Sequence, residues 1–286
     1  MKYLVLVNPS SNGGRARETW HSYAAMLHDY QVYLLENIRQ AQNLAAEASG
    51  YEAVVACGGD GTVNAVANGV LRNPDPKLKF GVLYAGTSPD FCRFHGIPFG
   101  GPEAVEVLKQ GSVRNIPVLC ANSHAFFCSC NLGMGAAVAH DANAWRPFLG
   151  DGPGTFCAAV RNILRARPRD YTLNGEKLSG CSHLLITRMP YIAGGLRLAL
   201  PKLNDDEYAV WFLRNVRLCG WPGILKKLYR GEPCGEFRIL RGESIITGPG
   251  EIEFDGDPHG KLPLEISFLP RTLRLITREE NDHARE

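Results

Sequence analysis

The segment that most restricts the fold of this chain is VVACGGDGTVNAVANGV, residues 54–70. An apolar run of strand-forming residues leads into a cluster of glycines, and a helical pattern follows it. Val63, Val66, Ala67 and Val70 recur at i, i+3, i+4 and i+7, so we predict that a helix begins at Gly61 or Thr62. A strand that turns through glycine into a helix is the repeating unit of α/β folds.

The same unit recurs over the first third of the chain. Helical patterns separate four predicted strands, which are YLVLV (3–7), QVYLL (31–35), AVVAC (53–57) and FGVLYA (80–85). Strands that are apolar throughout are typical of a parallel sheet covered on both faces. The first third therefore predicts an α/β domain with a parallel sheet.

The pattern changes after about residue 117, where short and partly alternating runs begin. In LEISF, residues 264–268, the apolar side chains share one face and the polar side chains share the other. Such alternation indicates an antiparallel sheet with one solvated face. We predict an α/β domain over 1–117, to which 270–286 is a candidate to return, and a β-rich, sandwich-like domain over 118–269. Helical patterns in TFCAAVRNILRAR and GWPGILKKLYRG interrupt the second domain, and a cleft between the domains is the expected ligand site.

Composition excludes several classes of function. A net charge of +2 gives no electrostatic case for nucleic acid as a partner. The nine cysteines form no CxxC pair and no His–Cys spacing that suggests zinc. Cys128 and Cys130 lie in the apolar run FFCSCNLG, so buried free thiols in a reducing cytosol are favoured for these two. No stretch approaches the ~18 apolar residues of a membrane span, and the first apolar run is too short for a signal peptide. A cytoplasmic protein is expected.

Two glycine loops, NPSSNGGR and CGGDGT, expose backbone N–H groups at predicted helix starts, where an anion is favoured. Neither loop matches the dinucleotide fingerprint or the P-loop, so a simple tight turn is equally consistent. The carboxylate of Asp60 would repel a phosphate unless Mg²⁺ lies between them or the carboxylate accepts a proton from an attacking hydroxyl. The alternative is that Asp60 caps the following helix.

Six segments together resemble one family. They are NPSSNGGRAR, GGDGTVNAVANG, AGTSPDFCRFHGIP, FLGDGPGTFCAAVRNILRARP, LPKLNDDEYAV and IEFDGDP. In this order they resemble the motifs of diacylglycerol kinases, sphingosine kinases and related bacterial lipid kinases, and more distantly the NAD kinases. The NAD kinases lack the first and the last of these motifs, so the lipid kinases are the closer match.

The resemblance implies a fold, a reaction and a set of site residues. It implies an N-terminal phosphofructokinase-like nucleotide-binding domain, a C-terminal β-sandwich-like acceptor-binding domain, ATP and Mg²⁺ as cofactors, and a lipid or lipid-like alcohol as acceptor. Asp60 and Asp257 match the catalytic acids. The nucleotide-binding matches are Asn8, Ser10, Ser11, Gly13, Gly14, Arg15, Gly58, Gly59, Gly61, Thr62, Gly86 and Thr87.

Simpler interpretations remain open for several of these residues. Arg15 is equally consistent with an exposed residue at a helix start, and Thr62 and Thr87 with helix caps. The DGDP segment around Asp257 is consistent with a tight turn between two strands. Asp205 and Asp206, beside Glu207, match a turn that holds a structural Mg²⁺ in bacterial relatives, with full solvation as the alternative.

The chain also departs from the family. The five departures are Ala65 for Glu, Tyr84 for Pro, Pro89 for Asn, Glu207 for Gly and Asp257 for Glu. They indicate either an unusual acceptor or a weakened activity. A kinase for a soluble alcohol and a silent nucleotide- or lipid-binding protein therefore stay as alternatives, and a homodimer is left open.

The segment GWPGILKKLYRG combines an apolar face, which includes Trp221 and Leu228, with Lys226, Lys227 and Arg230. This composition suits an interfacial helix that would bring the protein to the membrane periphery. A helix packed against the protein core is the favoured alternative.

Overall fold

The computed structural model of this protein describes residues 2–110, 112–165, 167–255 and 257–278. These residues form two compact units. The first comprises residues up to 117 together with 271–278, and the second comprises residues 118–270.

The helices and strands are as follows. The helices are α1 (Ala16–Ala24), α2 (Ile38–Ala46), α3 (Asp60–Arg72), α4 (Asp90–Phe94), α5 (Gly101–Gln110), α6 (Met134–Leu149), α7 (Asp151–Arg165) and α8 (Trp221–Arg230). The strands are β1 (Tyr3–Val7), β2 (Tyr30–Leu34), β3 (Ala53–Gly58), β4 (Lys79–Tyr84), β5 (Val113–Ile116), β6 (Leu119–Ala121), β7 (His124–Phe126), β8 (Ser129–Gly133), β9 (Arg169–Leu173), β10 (Glu176–Thr187), β11 (Tyr191–Ile192), β12 (Leu196–Arg197), β13 (Glu207–Arg214), β14 (Glu236–Arg241), β15 (Ser244–Thr247), β16 (Glu251–Phe254), β17 (Asp257–Lys261), β18 (Leu264–Phe268) and β19 (Leu273–Ile276).

The first unit is built on a six-stranded sheet in the order β2-β1-β3-β4-β19-β5. Neighbouring strands from β2 to β19 are parallel, and only the β19–β5 pair is antiparallel. Every residue of β1 and β3 is buried, as their continuous apolar sequences predict. The five residues of β2 are all exposed, because β2 is an edge strand.

The second unit is antiparallel and β-rich. Its main sheet has eleven hydrogen-bonded strands and branches at β10, whose twelve residues pair with β9 near one end and with β8 and β13 near the other. The pairing register shifts between Leu178 and Cys181, where β10 leaves β9. One hydrophobic core contains residues from both parts of the sheet, including Leu178, Leu184 and Ile246. The predicted α/β-plus-β fold class is confirmed.

Helix α8 packs against the second unit. Trp221 and Leu228 are buried in a cluster with Leu185, Trp211 and Leu213. A face buried in a core is not available to a bilayer, so the favoured packing interpretation of this helix agrees with the structure. Within the described ranges, each helix is too short or too polar to cross a membrane.

Candidate active site

The predicted nucleotide loops lie at the carboxyl ends of three adjacent parallel strands. The first loop follows β1, the second follows β3 and the third follows β4. The sheet order reverses at β1, since β2 lies on one side of it and β3 on the other. Ligands of open α/β sheets bind at such switch points, outside the carboxyl ends of the strands.

Hydrogen bonds join the three loops. The Asn8 side-chain amide donates to the Thr62 hydroxyl over 3.0 Å, and the Gly59 backbone N–H donates to the Ser11 hydroxyl over 3.4 Å. The Ala85 N–H donates to the Gly58 carbonyl over 2.9 Å. Thr62 is buried with its hydroxyl engaged in this way, so its side chain ties the first loop to the second.

The glycines allow a close approach of the loop backbones. A Cβ on Gly86 would lie 2.3 Å from the Gly59 Cα, and a Cβ on Gly58 would lie 2.4 Å from the Thr62 hydroxyl. Neither position accepts any other residue without a shift of the backbone or of a hydrogen-bonded side chain. The second and third loops are therefore in direct contact at Gly59 and Gly86.

Asp60 is the first residue of α3, and Gly59 is the N-cap. The interpretation of Asp60 as the helix cap is therefore wrong, although a carboxylate in the first turn still interacts favourably with the helix dipole. Burial and then the Asp60 charge raise the pKa of the Tyr84 hydroxyl far above its usual range. Burial and the same charge also raise the pKa of the Cys92 thiol. Asp60 thus adds negative charge beside the meeting point of the loops.

The remaining residues of the first loop lie on the surface. Ser11–Gly14 form a 3₁₀ turn in which Gly13 and Gly14 have φ angles of 63° and 91°, in the left-handed region that favours glycine. Ser10 is exposed, and its N–H donates to the Asn8 side chain over 3.2 Å. Arg15 is exposed at the N-cap position of α1, so a surface role agrees with the structure and a phosphate contact stays a prediction.

The third loop contains an acid, Asp90, that is not among the site residues predicted from the sequence. Thr87 is exposed and does not cap α4, whose N-cap position is Pro89. Asp90 follows and is only 4% exposed, with Arg93 at 3.5 Å as an ion-pair partner. A buried carboxylate three residues after Thr87 adds to the charge near Asp60 and Tyr84. In the sequence, Asp90 could have been identified as an acid that lies between a glycine turn and an apolar run.

Asp255 of the second unit organises the late acidic motif. Its carboxylate accepts the N–H groups of Phe127, Cys128 and Ser129, each over 2.8 Å, and its φ angle is 49°. Phe254 pairs with Asp257 where the antiparallel strands β16 and β17 meet, so the motif lies between two strands, as the simpler interpretation has it. Gly256 and the side chain of Asp257 lie outside the described part of the structure, and the catalytic role of Asp257 stays a prediction.

The acidic turn before β13 is balanced by arginines. Arg188 lies 3.6 Å from Asp205, and Arg241 lies 3.5 Å from Asp206 and 2.7 Å from Glu207. The Asn204 backbone N–H and Arg241 lower the pKa of Glu207. Within the described ranges, no group of three potential ligands is placed to hold a metal ion. A Mg²⁺ at Asp205 and Asp206 stays a prediction.

An apolar surface on α6 and α7 was not predicted. We call it the hairpin surface. It surrounds an open cavity of about 740 Å³ lined by Trp145, Phe148, Leu149, Phe156, Cys157, Val160, Arg161, Leu164 and Arg165. Phe148 is 86% exposed, Phe156 69% and Leu164 63%. Monomeric proteins rarely expose contiguous apolar patches of this kind unless they bind something. The spacing of Phe156, Val160 and Leu164 at i, i+4 and i+8 is visible in the sequence, but it is equally typical of a core-facing helix.

Comparisons with known proteins agree with the motifs. Residues 2–121 match the family model for the diacylglycerol kinase catalytic domain. The chain is 24% identical to a diacylglycerol kinase of Bacillus subtilis over 96% of both chains. It is 24% identical to one of Staphylococcus aureus over 90% of this chain and 87% of the relative. A solved structure of a diacylglycerol kinase from Bacillus anthracis has a TM-score of 0.75 at 21% identity, covers 97% of each chain and supports the fold. The predicted resemblance to this lipid kinase family is confirmed.

Proposed function

We propose that this relative of the diacylglycerol kinases is an ATP-dependent kinase that phosphorylates a hydroxyl group of a lipid or lipid-like alcohol. Residues 1–117, with 270–286, are its nucleotide-binding domain, and residues 118–269 are its acceptor-binding domain. The observation that carries the proposal is the meeting of three loops at the ends of β1, β3 and β4, because this is where an α/β sheet binds a phosphorylated ligand.

The residues present fit a nucleotide. Gly58, Gly59 and Gly86 let the loops pack closely, since a Cβ at these positions would meet Thr62, Gly86 or Gly59. The N-terminal end of α3, where the helix dipole favours an anion, begins at the same place. The residues proposed to hold the nucleotide are Asn8, Ser10, Ser11, Gly13, Gly14, Arg15, Gly58, Gly59, Gly61, Thr62, Gly86 and Thr87. ATP bound with Mg²⁺ would supply the phosphoryl group and neutralise its charge.

The side chains of the loops would hold the loops in position and supply negative charge to the site. Asn8 and Thr62 fix each other through their hydrogen bond, which holds the first loop against α3. Asp60 would hold a cation or accept a proton from the acceptor hydroxyl. Asp257 is the second candidate for that base, on the strength of the motif alone. A loose phosphoryl-transfer transition state asks mainly for such positioning and charge balance.

The hairpin surface favours a lipid acceptor over a soluble alcohol. Its cavity is lined mainly by aromatic and aliphatic side chains, with two arginines at its edge. A small alcohol would gain little from so large an apolar lining, whereas acyl chains would bury it.

A transfer assay tests the proposal. Purified protein is incubated with [γ-³²P]ATP and Mg²⁺, first with mixed micelles of diacylglycerol or a total lipid extract, then with a panel of short-chain alcohols. Label in the lipid fraction is the expected result, and Asp60→Asn should abolish it. Label only in the soluble alcohols would replace the lipid acceptor. Absence of transfer together with absence of ATP binding by calorimetry would contradict a kinase.

A further inference from the structure

A tyrosine hydroxyl lies beside the contact between the second and third loops. Tyr84 is the last residue of β4 and pairs with Gly58, the last residue of β3, in the parallel sheet. A Cβ on Gly86 would lie 2.7 Å from the Tyr84 hydroxyl oxygen and 2.3 Å from the Gly59 Cα, so these three groups border one small space. Because Tyr84 is only 5% exposed, its hydroxyl is a buried polar group within the proposed nucleotide site.

The proton of this hydroxyl has no acceptor. Among the described residues, the Tyr84 hydroxyl has no hydrogen-bond partner. The Ser88 backbone N–H is near enough to lower the pKa of Tyr84, but an N–H acts on the oxygen and offers nothing to the proton. A buried hydroxyl in this condition has given up its bonds to water without replacing them. Such groups are rare in native structures, and a catalytic site is one of the places where they persist.

Two carboxylates lie near the hydroxyl. After burial, the charge of Asp60 is the largest cause of the raised pKa of Tyr84, and the charge of Asp90 is a smaller cause. Asp90 is paired with Arg93 at 3.5 Å. Asp60 directly follows Gly59, so its side chain begins beside the small space that the hydroxyl borders. Asp60 is therefore the better candidate for the acceptor.

A hydrogen bond from this hydroxyl would orient the Asp60 carboxylate. A donor that binds one carboxylate oxygen fixes the plane of the group and leaves the second oxygen to a ligand or a proton. Hydrogen bonds to an ionised acceptor are about twice as strong as those between neutral groups. Reacting groups depend on such support, because a misplacement of about 1 Å can cost roughly 10²-fold in rate. The proline that stands at this position in the resembling family has no donor, so the hydroxyl is a feature of this chain.

We propose that Tyr84 is a positioning residue for Asp60: in the site loaded with ATP and Mg²⁺, the Tyr84 hydroxyl donates its proton to one carboxylate oxygen of Asp60 and leaves the other oxygen for the ligand. This deepens the proposed function and rests on it, because it gives Asp60 a role in phosphoryl transfer. The structure does not contain this bond, and the experiment therefore compares the protein with and without ATP and Mg²⁺.

The direct test observes the hydroxyl itself. Infrared difference spectra of the full chain, with and without ring-¹³C tyrosine, are recorded before and after addition of ATP and Mg²⁺. A hydroxyl that gains an acceptor shifts its C–O–H bands, and Tyr84→Phe identifies the band of Tyr84 by its loss. We expect a shift on loading in the parent and no shift in Asp60→Ala, which lacks the acceptor, at saturating ATP.

Two results of the infrared test would overturn the proposal. A shift that persists in Asp60→Ala would make the acceptor an oxygen of the nucleotide. Absence of a shift in the loaded parent would show that the hydroxyl gains no acceptor at all.

A double-mutant cycle measures the effect on the reaction. Tyr84→Phe removes one oxygen and keeps the ring, so turnover should fall roughly tenfold, the scale of a hydrogen bond to a charged group. In the Asp60→Asn background the same substitution should change turnover by less than about twofold, because the carboxylate that it positions is gone. Equal falls in both backgrounds, or normal turnover in Tyr84→Phe, would overturn the proposal.

Thermal melts separate positioning from packing. Since the hydroxyl proton has no acceptor in the structure, Tyr84→Phe should have an equal or higher Tm in the absence of nucleotide. Tyr23→Phe is the contrasting case, because the Tyr23 hydroxyl donates to the Tyr84 carbonyl over 2.9 Å, and its Tm should fall. A lowered Tm in Tyr84→Phe, with turnover lost only in proportion to the unfolded fraction, would make the hydroxyl structural and overturn the proposal.

Tyr208 supplies the matched control. It is fully buried in the second unit, and its hydroxyl also has no hydrogen-bond partner among the described residues. Tyr208→Phe therefore removes the same atom from a similar environment away from the loops, and it should keep the turnover and the infrared shift of the parent. Loss of turnover in Tyr208→Phe equal to that in Tyr84→Phe would show a general effect of the substitution and overturn the specific role of Tyr84.

Calorimetry with ATP and Mg²⁺ separates this inference from the kinase. A parent protein that binds no ATP would overturn the kinase and the role of Tyr84 together. A parent that binds ATP and transfers phosphate, beside a Tyr84→Phe variant that does both equally well, would overturn the role of Tyr84 and keep the kinase.

Discussion

The glycine loops of the first unit and the hairpin surface of the second are built in opposite ways. The loops are tied to one another by hydrogen bonds of Asn8, Ser11 and Thr62, and at Gly58 and Gly86 the chain is so crowded that a Cβ does not fit. The hairpin surface consists of exposed side chains on two regular helices. Backbone sites tolerate few substitutions and hold small charged groups, whereas side-chain surfaces adapt to large and disordered partners. A kinase that transfers a phosphoryl group from ATP to a lipid and releases ADP would need both kinds of site.

The largest effect is expected at Asp60. Asp60→Asn keeps the shape of the side chain and removes its charge, so turnover should fall roughly 10²- to 10⁴-fold, the usual scale for a lost general base. Stability should change little, since the dipole interaction of an acid in a first helical turn is worth about 0.3–1 kcal/mol.

The control is Asp29→Asn, an exposed acid at a φ angle of 57° that asparagine also adopts. Steady-state kinetics and a thermal melt are measured for both variants. Normal turnover in Asp60→Asn with a strongly lowered Tm would make Asp60 purely structural.

Asp257 extends the test to the second unit. Asp257→Asn should lower turnover about 10²-fold with ATP affinity unchanged, if this residue is the base that deprotonates the acceptor. Asp257→Glu restores the residue of the family and should keep part of the activity. Equal activity of the parent, Asp257→Asn and Asp257→Glu would show that Asp257 is not the catalytic base.

His183 tests how firmly the hairpin is anchored. It is buried against Trp211, and its Nδ1 accepts the Gly135 N–H near the start of α6 over 3.3 Å. Burial lowers the pKa of His183 from 6.5 to about 4. The unfolded chain therefore binds the proton at a higher pH than the folded chain does. The contribution of His183 to the free energy of unfolding is fully present above pH 6.5 and is lost as the pH falls toward 4, by about 3 kcal/mol in all.

The measurement is urea unfolding between pH 4 and 7 for the parent and for His183→Asn, which keeps an acceptor. The gap in stability between the two proteins should narrow as the pH falls. A constant gap would show that the proton binds elsewhere.

Gly86 sharpens the backbone side of the comparison. Gly86→Ala places a methyl group against the Gly59 Cα, so the loops have to separate, at a cost of about 1–3 kcal/mol. Calorimetry should show weaker binding of ATP with Mg²⁺. Gly223→Ala is the control, because its Cβ meets nothing within 4 Å and lies in a helix. Equal ATP affinity in the two variants would contradict a tight cradle.

The smallest effect is expected at the acidic turn. Asp205→Asn with Asp206→Asn removes two exposed charges that face arginines, and such pairs contribute little. We expect an unchanged Tm with and without Mg²⁺. A Tm that rises with Mg²⁺ in the parent but not in the variant would instead support the predicted metal site.

The same contrast explains what the sequence could reveal. Short motifs identify Gly58, Gly59 and Gly86, because these residues make close contacts that leave little or no room for a Cβ. They also identify Asn8, because its side chain ties the first loop to the second. Phe148 and Phe156 have helical spacing that suits a buried face as well as an exposed one, and only burial distinguishes the two. Trp221 was ambiguous in the same way and proved to be buried.

Two further differences have local causes. Asp60 follows the cap because Gly59 has the extended backbone that an N-cap needs. The arginine partners of Asp205–Glu207 come from Arg188 and Arg241, which are distant in sequence and therefore invisible to a local motif.

The position of β19 has a consequence for how the chain acquires its structure. β19 pairs with β4 on one side and with β5 on the other, and Arg271 beside it donates to the Leu71 carbonyl, 200 residues earlier. β5 therefore leaves the ribosome long before its neighbour exists. During synthesis, the second unit can collapse while the first still has an open edge at β4, and closing that edge is a late, long-range and slow event. Truncations before residue 271 should accordingly damage the N-terminal half first.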